Sequence, residues 1–78
     1  MKIYLWFKED KEWRLINDDN KKNFDKLLKE RNITIGKSAT IGDYATIGDY
    51  ATIDNYATIG DYATIGYHAT IGNSATID

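Results

Sequence analysis

The residues able to carry chemistry in this chain are few, and their spacing is regular. His68 is the only histidine, a residue type that can serve as a general base, but it stands without a paired acid. Stepping back six residues at a time from His68 gives Tyr62, Tyr56, Tyr50 and Tyr44, so the imidazole reads as a variant of a surface column. Carboxylates recur at Asp43, Asp49, Asp54 and Asp61. A hard cation such as Ca2+ takes about six or more oxygens, and no loop supplies them, so these acids read as solvated, screened charges. With no cysteine there is neither a disulfide framework nor a thiolate metal site. No catalytic residue, no metal ligand and no cofactor is therefore expected. What the pattern offers is contact surface. Tyrosine is favoured in protein interfaces, and Tyr44, Tyr50, Tyr56, Tyr62 and Tyr67, together with His68, are expected to lie outward.

The element that must position these groups is an internal repeat. From Ile33 the chain reads ITIGKS-ATIGDY-ATIGDY-ATIDNY-ATIGDY-ATIGYH-ATIGNS-ATID, with isoleucine at 35, 41, 47, 53, 59, 65, 71 and 77. In each Ala-Thr-Ile the alternation turns Ala and Ile inward and Thr outward, and the β-branched pair favours an extended strand. Gly-Asp, Asp-Asn or Gly-Asn follows. These residues tolerate φ > 0 and predict a sharp corner at that point. One strand and one corner cannot bury their own apolar face. Stacking must do it.

The unit resembles the hexapeptide repeat of left-handed parallel β-helix proteins: an aliphatic residue, a small or acidic one, two free positions, a small residue and another free one. Ile47-Gly48-Asp49-Tyr50-Ala51-Thr52 fits it throughout. The resemblance covers residues 33–78 and implies a three-sided coil of eighteen residues per turn, its left hand coming from the family alone. Ile35, Ile53 and Ile71 should then form one interior column, Ile41, Ile59 and Ile77 a second, and Ile47 and Ile65 a third. Outside, Tyr44 should stack on Tyr62 and Tyr50 on His68. About two and a half coils at a strand spacing of about 4.8 Å make a stack about 12 Å tall. Enzymes with this repeat are mostly acyl-CoA-dependent acyltransferases, many using a histidine as base. They have more coils, and loops interrupt the repeat to wall a trimeric active site. Residues 33–78 carry no such interruption.

Residues 1–32 lack the repeat and read as a hairpin–helix capping region, with residues 33–78 as the solenoid. Lys2 to Lys8 alternates, placing Ile3, Leu5 and Phe7 on one face. Glu12 to Ile16 predicts a second strand with Trp13 and Leu15 inward, joined through Glu9-Asp10-Lys11. Asn17-Asp18-Asp19-Asn20 offers N-caps to a helix carrying Phe24, Leu27 and Leu28 on one face, and Asn32 is an αL stop. A lid over the first coil is expected, because its open edge would expose unpaired backbone. The fold class is thus mainly β: a short left-handed parallel β-helix with an N-terminal β-hairpin plus α-helix cap.

Charge narrows the partners. Residues 1–32 hold nine Lys/Arg against seven Asp/Glu, a balance of +2, while residues 33–78 hold Lys37 against five Asp, a balance of −4. An acidic solenoid repels phosphate backbones, so nucleic acid is not an expected partner. Ile3 to Phe7 is too short for a signal peptide, and no apolar run approaches a membrane span, so no membrane partner is expected and a cytoplasmic location is, with a virion-associated one as the alternative. The chain halts inside a unit at Thr76-Ile77-Asp78, which predicts an uncovered strand edge. The functional expectation is a non-enzymatic structural or interaction module that forms a homo-oligomer. It would be an end-to-end dimer through Thr76, Ile77 and the neighbouring strand edges, with the tyrosine columns as a second contact surface, or a side-by-side trimer. A phage or mobile-element structural protein is the setting by analogy. The rival readings are a miniature acyl-CoA-dependent acyltransferase and a module that sequesters a small ligand between subunits.

Overall fold

Two kinds of hydrophobic alternation become two kinds of strand. In the computed structural model, which describes residues 1–78, β1 (Lys2–Phe7) and β2 (Glu12–Asn17) form an antiparallel hairpin, followed by α1 (Lys21–Glu30). Each Thr-Ile of the repeat is then a short strand: β3 (Thr34–Ile35), β4 (Thr40–Ile41), β5 (Ala45–Ile47), β6 (Thr52–Ile53), β7 (Thr58–Ile59), β8 (Thr64–Ile65), β9 (Thr70–Ile71) and β10 (Thr76–Ile77). The eighteen-residue turn appears directly in the parallel register. Ile35 pairs with Ile53 and Ile53 with Ile71; Ile41 pairs with Ile59 and Ile59 with Ile77; Ile47 pairs with Ile65. The chain is a short three-sided parallel β-helix. Ile47, Ile53, Ala45, Ala51 and Ala57 are wholly buried, so the interior is filled by the two small-and-branched positions of the unit.

The repeat alone would give one side only β5 and β8. β1 supplies its missing rung. Ile3, Tyr4 and Leu5 pair in parallel with Ala45, Thr46 and Ile47, giving the order β2-β1-β5-β8. Leu5 therefore continues the Ile47–Ile65 column and Ile3 stands in line with Ala45, both at 0% exposure. The hairpin does not lie across the coil as a lid. One of its strands is part of the coil, and the covering is done by α1, whose Phe24 and Leu28 are buried in the same core. Asn20 caps α1, its side chain accepting from Asn23 N–H. Asn32, at φ 56°, ends it: Ile33 N–H donates to Leu28 O at 3.0 Å and Asn32 N–H to Lys29 O at 3.0 Å, a Schellman closure.

Two further expectations are corrected. Trp13 and Leu15 face outward, 45% and 42% exposed, because the hairpin register sets Trp13 opposite Trp6 and Leu15 opposite Tyr4. Cross-strand partners share a face, so both join the outer side, while Ile16, opposite Ile3, turns toward the core. The corner conformation also differs. No glycine has positive φ; the left-handed residue is the one just before each alanine, with Tyr44 at 66°, Tyr50 at 65°, Tyr56 and Tyr62 at 63° and His68 at 62°. Glycine is needed instead for close approach between coils. A Cβ on Gly42 would lie 2.4 Å from Asp61 N and 2.5 Å from Gly60 C.

Asp61 and the amide Asn55 brace the stack rather than only facing solvent. Asp43 N–H donates to Asp61 Oδ1 at 2.8 Å, and Lys37 N–H to Asn55 Oδ1 at 2.7 Å. No helix of the chain is long and apolar enough to cross a membrane.

Candidate functional site

Three corners run up the solenoid, and each presents its left-handed residue outward. On one, Tyr44 and Tyr62 stack with ring centroids 5.2 Å apart and planes 14° apart. On the next, Ser38, Tyr56 and Ser74 share the conformation, and only Tyr56 is aromatic. The third is made by Asn32, Tyr50 and His68. There Tyr50 and His68 lie 4.7 Å apart and 2° from parallel, and Tyr67 meets both edge-on at 5.6 Å and 4.1 Å. Backbone bonds between coils hold these positions: Tyr62 N–H donates to Asp43 O and His68 N–H to Asp49 O, both at 3.0 Å. The rings remain open to contact, Tyr62 at 74% and Tyr67 at 68% exposure.

The imidazole of His68 is packed between aromatic rings and makes no side-chain hydrogen bond, so no acid orients it as a base. Thr76 is exposed and Ile77 half-buried on β10, whose single partner is β7. The aromatic columns and this edge are thus separate surfaces.

Sequence reasoning missed a second aromatic pair beside the third corner. Trp6 and Trp13 meet edge to face at 5.2 Å, and with Tyr50, Tyr67 and Asp49 they line a groove of about 650 Å3 on the outer side of the β2-β1-β5-β8 sheet. Half of the signal was available: Trp6 has the opposite parity to Ile3, Leu5 and Phe7, but a turn at 9–11 would set Trp13 opposite Phe7, and it is the observed turn at 8–11 that makes Trp13 the partner of Trp6. Arg31 fixes the junction from behind. Its Nε donates to Trp6 O and its Nη1 to Leu27 O, each at 2.8 Å, and its guanidinium lies 4.3 Å over the Phe7 ring.

No curated protein and no solved structure shows a significant match to the chain. The family model described as bacterial transferase hexapeptide (six repeats) matches residues 38–78, the same stretch that forms the Tyr and His corners described above. With the repeat, the eighteen-residue parallel register and that match in agreement, the chain belongs to the bacterial transferase hexapeptide-repeat family.

Proposed function

We propose that this protein is a non-enzymatic interaction module that self-associates through its tyrosine corners. The observation that carries the reading is the conformation of those tyrosines. Holding an L-residue with a bulky side chain in the left-handed region costs about 1–2 kcal/mol. Asn32, Ser38 and Ser74 fill equivalent corner positions, so the coil itself does not require an aromatic ring there. Tyr44, Tyr50, Tyr56 and Tyr62 are nevertheless held outward at that cost, three of them in stacked pairs. Rigid, half-apolar rings of this kind are what protein contacts use. A structural part of a phage or mobile element is one setting in which so regular a scaffold would serve.

The unpaired edge at Thr76 and Ile77 supports self-association less directly. Its donors and acceptors would suit a further coil of the same polypeptide as well as a second copy. The tyrosine faces are the surface that decides.

The test is solution mass by light scattering at micromolar concentration. The expected mass exceeds the 8.9 kDa of one chain. A Tyr44→Asn, Tyr62→Asn double variant, with unchanged circular dichroism, is expected to fall toward that value. A strict monomer, or an oligomer indifferent to both substitutions and to Tyr50→Asn, defeats the reading. Membership of a transferase family supports a second reading, a small acyltransferase, and calorimetry with acetyl-CoA separates the two. Micromolar binding that disappears in His68→Ala would favour the enzyme.

A further inference from the structure

One corner holds a carboxylate that its own coil does not use. At three other corners the acid or amide in this position accepts a backbone N–H from one coil away, and at a fourth Asn73 Oδ1 accepts Ser74 Oγ–H instead. Asn55 Oδ1 takes Lys37 N–H, Asp61 Oδ1 takes Asp43 N–H, and Asp43 Oδ1 takes Lys2 N–H at 3.3 Å. The same eighteen-residue step carries Asp49 to Arg31. Arg31 N–H is already committed, donating to Leu28 O at 3.1 Å where α1 ends. Asp49 Oδ1 is therefore buried without a hydrogen-bond partner. No hydrogen bond joins it to the Arg31 side chain either, whose Nε and Nη1 are held by Trp6 O and Leu27 O. A carboxylate oxygen in that state is destabilising unless a donor meets it.

Asp49 lines the groove whose walls are Trp6, Trp13, Tyr50 and Tyr67 and whose floor at Gly48 and Gly66 carries no side chain. We propose that this groove binds a small soluble primary alkylammonium ion. An ionised carboxylate only accepts, and a primary ammonium offers three donors. Indole and phenol faces attract a cation, and their apolar surface receives an alkyl stem. Anions are opposed by Asp49, and a neutral alcohol gains neither the charge-assisted hydrogen bond nor the attraction to the rings. Lys8 also lines the groove but forms no ion pair with Asp49. The groove shares Tyr50 and Tyr67 with the third corner, whereas the Tyr44–Tyr62 column lies on another corner and lines no part of it.

The experiment titrates the whole chain with n-butylammonium, 1-butanol and tetramethylammonium, following the Trp6 and Trp13 indole N–H signals by NMR and the solution mass in the same samples. Saturable binding of n-butylammonium is expected. It should be at least about tenfold tighter than binding of 1-butanol or tetramethylammonium, neither of which can place a charged donor on Asp49. Asp49→Asn, an exchange that Asn55 shows the corner accommodates, should weaken it about tenfold or more. Trp13→Ala should weaken it several-fold, and Lys8→Ala should leave it equal or tighter. Equal binding of 1-butanol, or undiminished binding in Asp49→Asn, overturns the proposal. A monomer that binds the amine, or an oligomer that does not, separates this site from the self-association reading.

Discussion

Substituting alanine for glycine should have opposite effects at two corners of the same solenoid. At Gly42 the new Cβ would sit 2.4 Å from Asp61 N and 2.5 Å from Gly60 C, both backbone atoms of the neighbouring coil. At Gly66 nothing lies within 4 Å. For Gly42→Ala the coils must part by about 1 Å to restore ordinary contact, an overpacking cost of about 1–3 kcal/mol. That movement also threatens the Asp43 N–H to Asp61 Oδ1 bond, whose net loss costs about 0.5–1.5 kcal/mol. Reduced freedom of the unfolded chain returns about 0.4–1 kcal/mol. The net is a destabilisation of about 0.5–4 kcal/mol, centred near 2. Asp54 shows what relaxation at such a site looks like: its own Oδ1 takes Asn55 N–H, and Asn73 Oδ1 accepts Ser74 Oγ–H instead of the cross-coil bond. For a domain of this size about 2 kcal/mol lowers Tm by about 8–16 °C. Gly66→Ala keeps only the unfolded-state gain and should raise Tm by about 2–8 °C. Thermal unfolding followed by circular dichroism measures both. Equal shifts in the two variants would refute close approach as the reason for these glycines.

Three further outcomes are expected. Leu5→Ala should destabilise by about 2–5 kcal/mol, because it empties a rung of the core, whereas Leu15→Ala on the outer face should stay within about 0.5 kcal/mol; urea unfolding compares them. Asn32→Val should cost about 1–2 kcal/mol at its left-handed φ, and Asn32→Gly should cost nothing or stabilise slightly, measured the same way. The hydrogen bond from the Met1 ammonium, 3.0 Å from Asp18, holds the Asp18 carboxyl below its ordinary value of 3.8. Its contribution is therefore complete above that pH and is lost as pH falls through the lower folded value. In Asp18→Asn the stability curve should be flatter below about pH 4, and an unchanged acid limb would contradict this.

Much of the architecture was legible because the six-residue period is short and repeated. Inward Ile and Ala, outward Thr, the stacking of Tyr44 on Tyr62 and that of Tyr50 on His68 all follow from one eighteen-residue step. The place of β1 was not legible. Ile3-Tyr4-Leu5 alternates as any half-buried strand does, and nothing in it states that Ile3 will stand where an alanine of the repeat would and Leu5 where an isoleucine would. The corners were misread for a related reason. Glycine signals either positive φ or close approach, and only the spacing between coils tells which. The isolation of Asp49 depends on a helix end meeting a coil, a junction that no local pattern encodes.

Methyl–methyl NOEs on selectively labelled protein address the architecture most directly. A single line of contacts from Leu5 through Ile47 to Ile65 is expected, together with slow exchange of the Thr46 and Gly48 amides that donate to Ala63 O and Ile65 O at 2.8 Å. Contacts of Ile47 with Ile65 but none with Leu5 would remove β1 from the coil. Absence of both contacts, with fast exchange at Thr46, would contradict the three-sided stack itself.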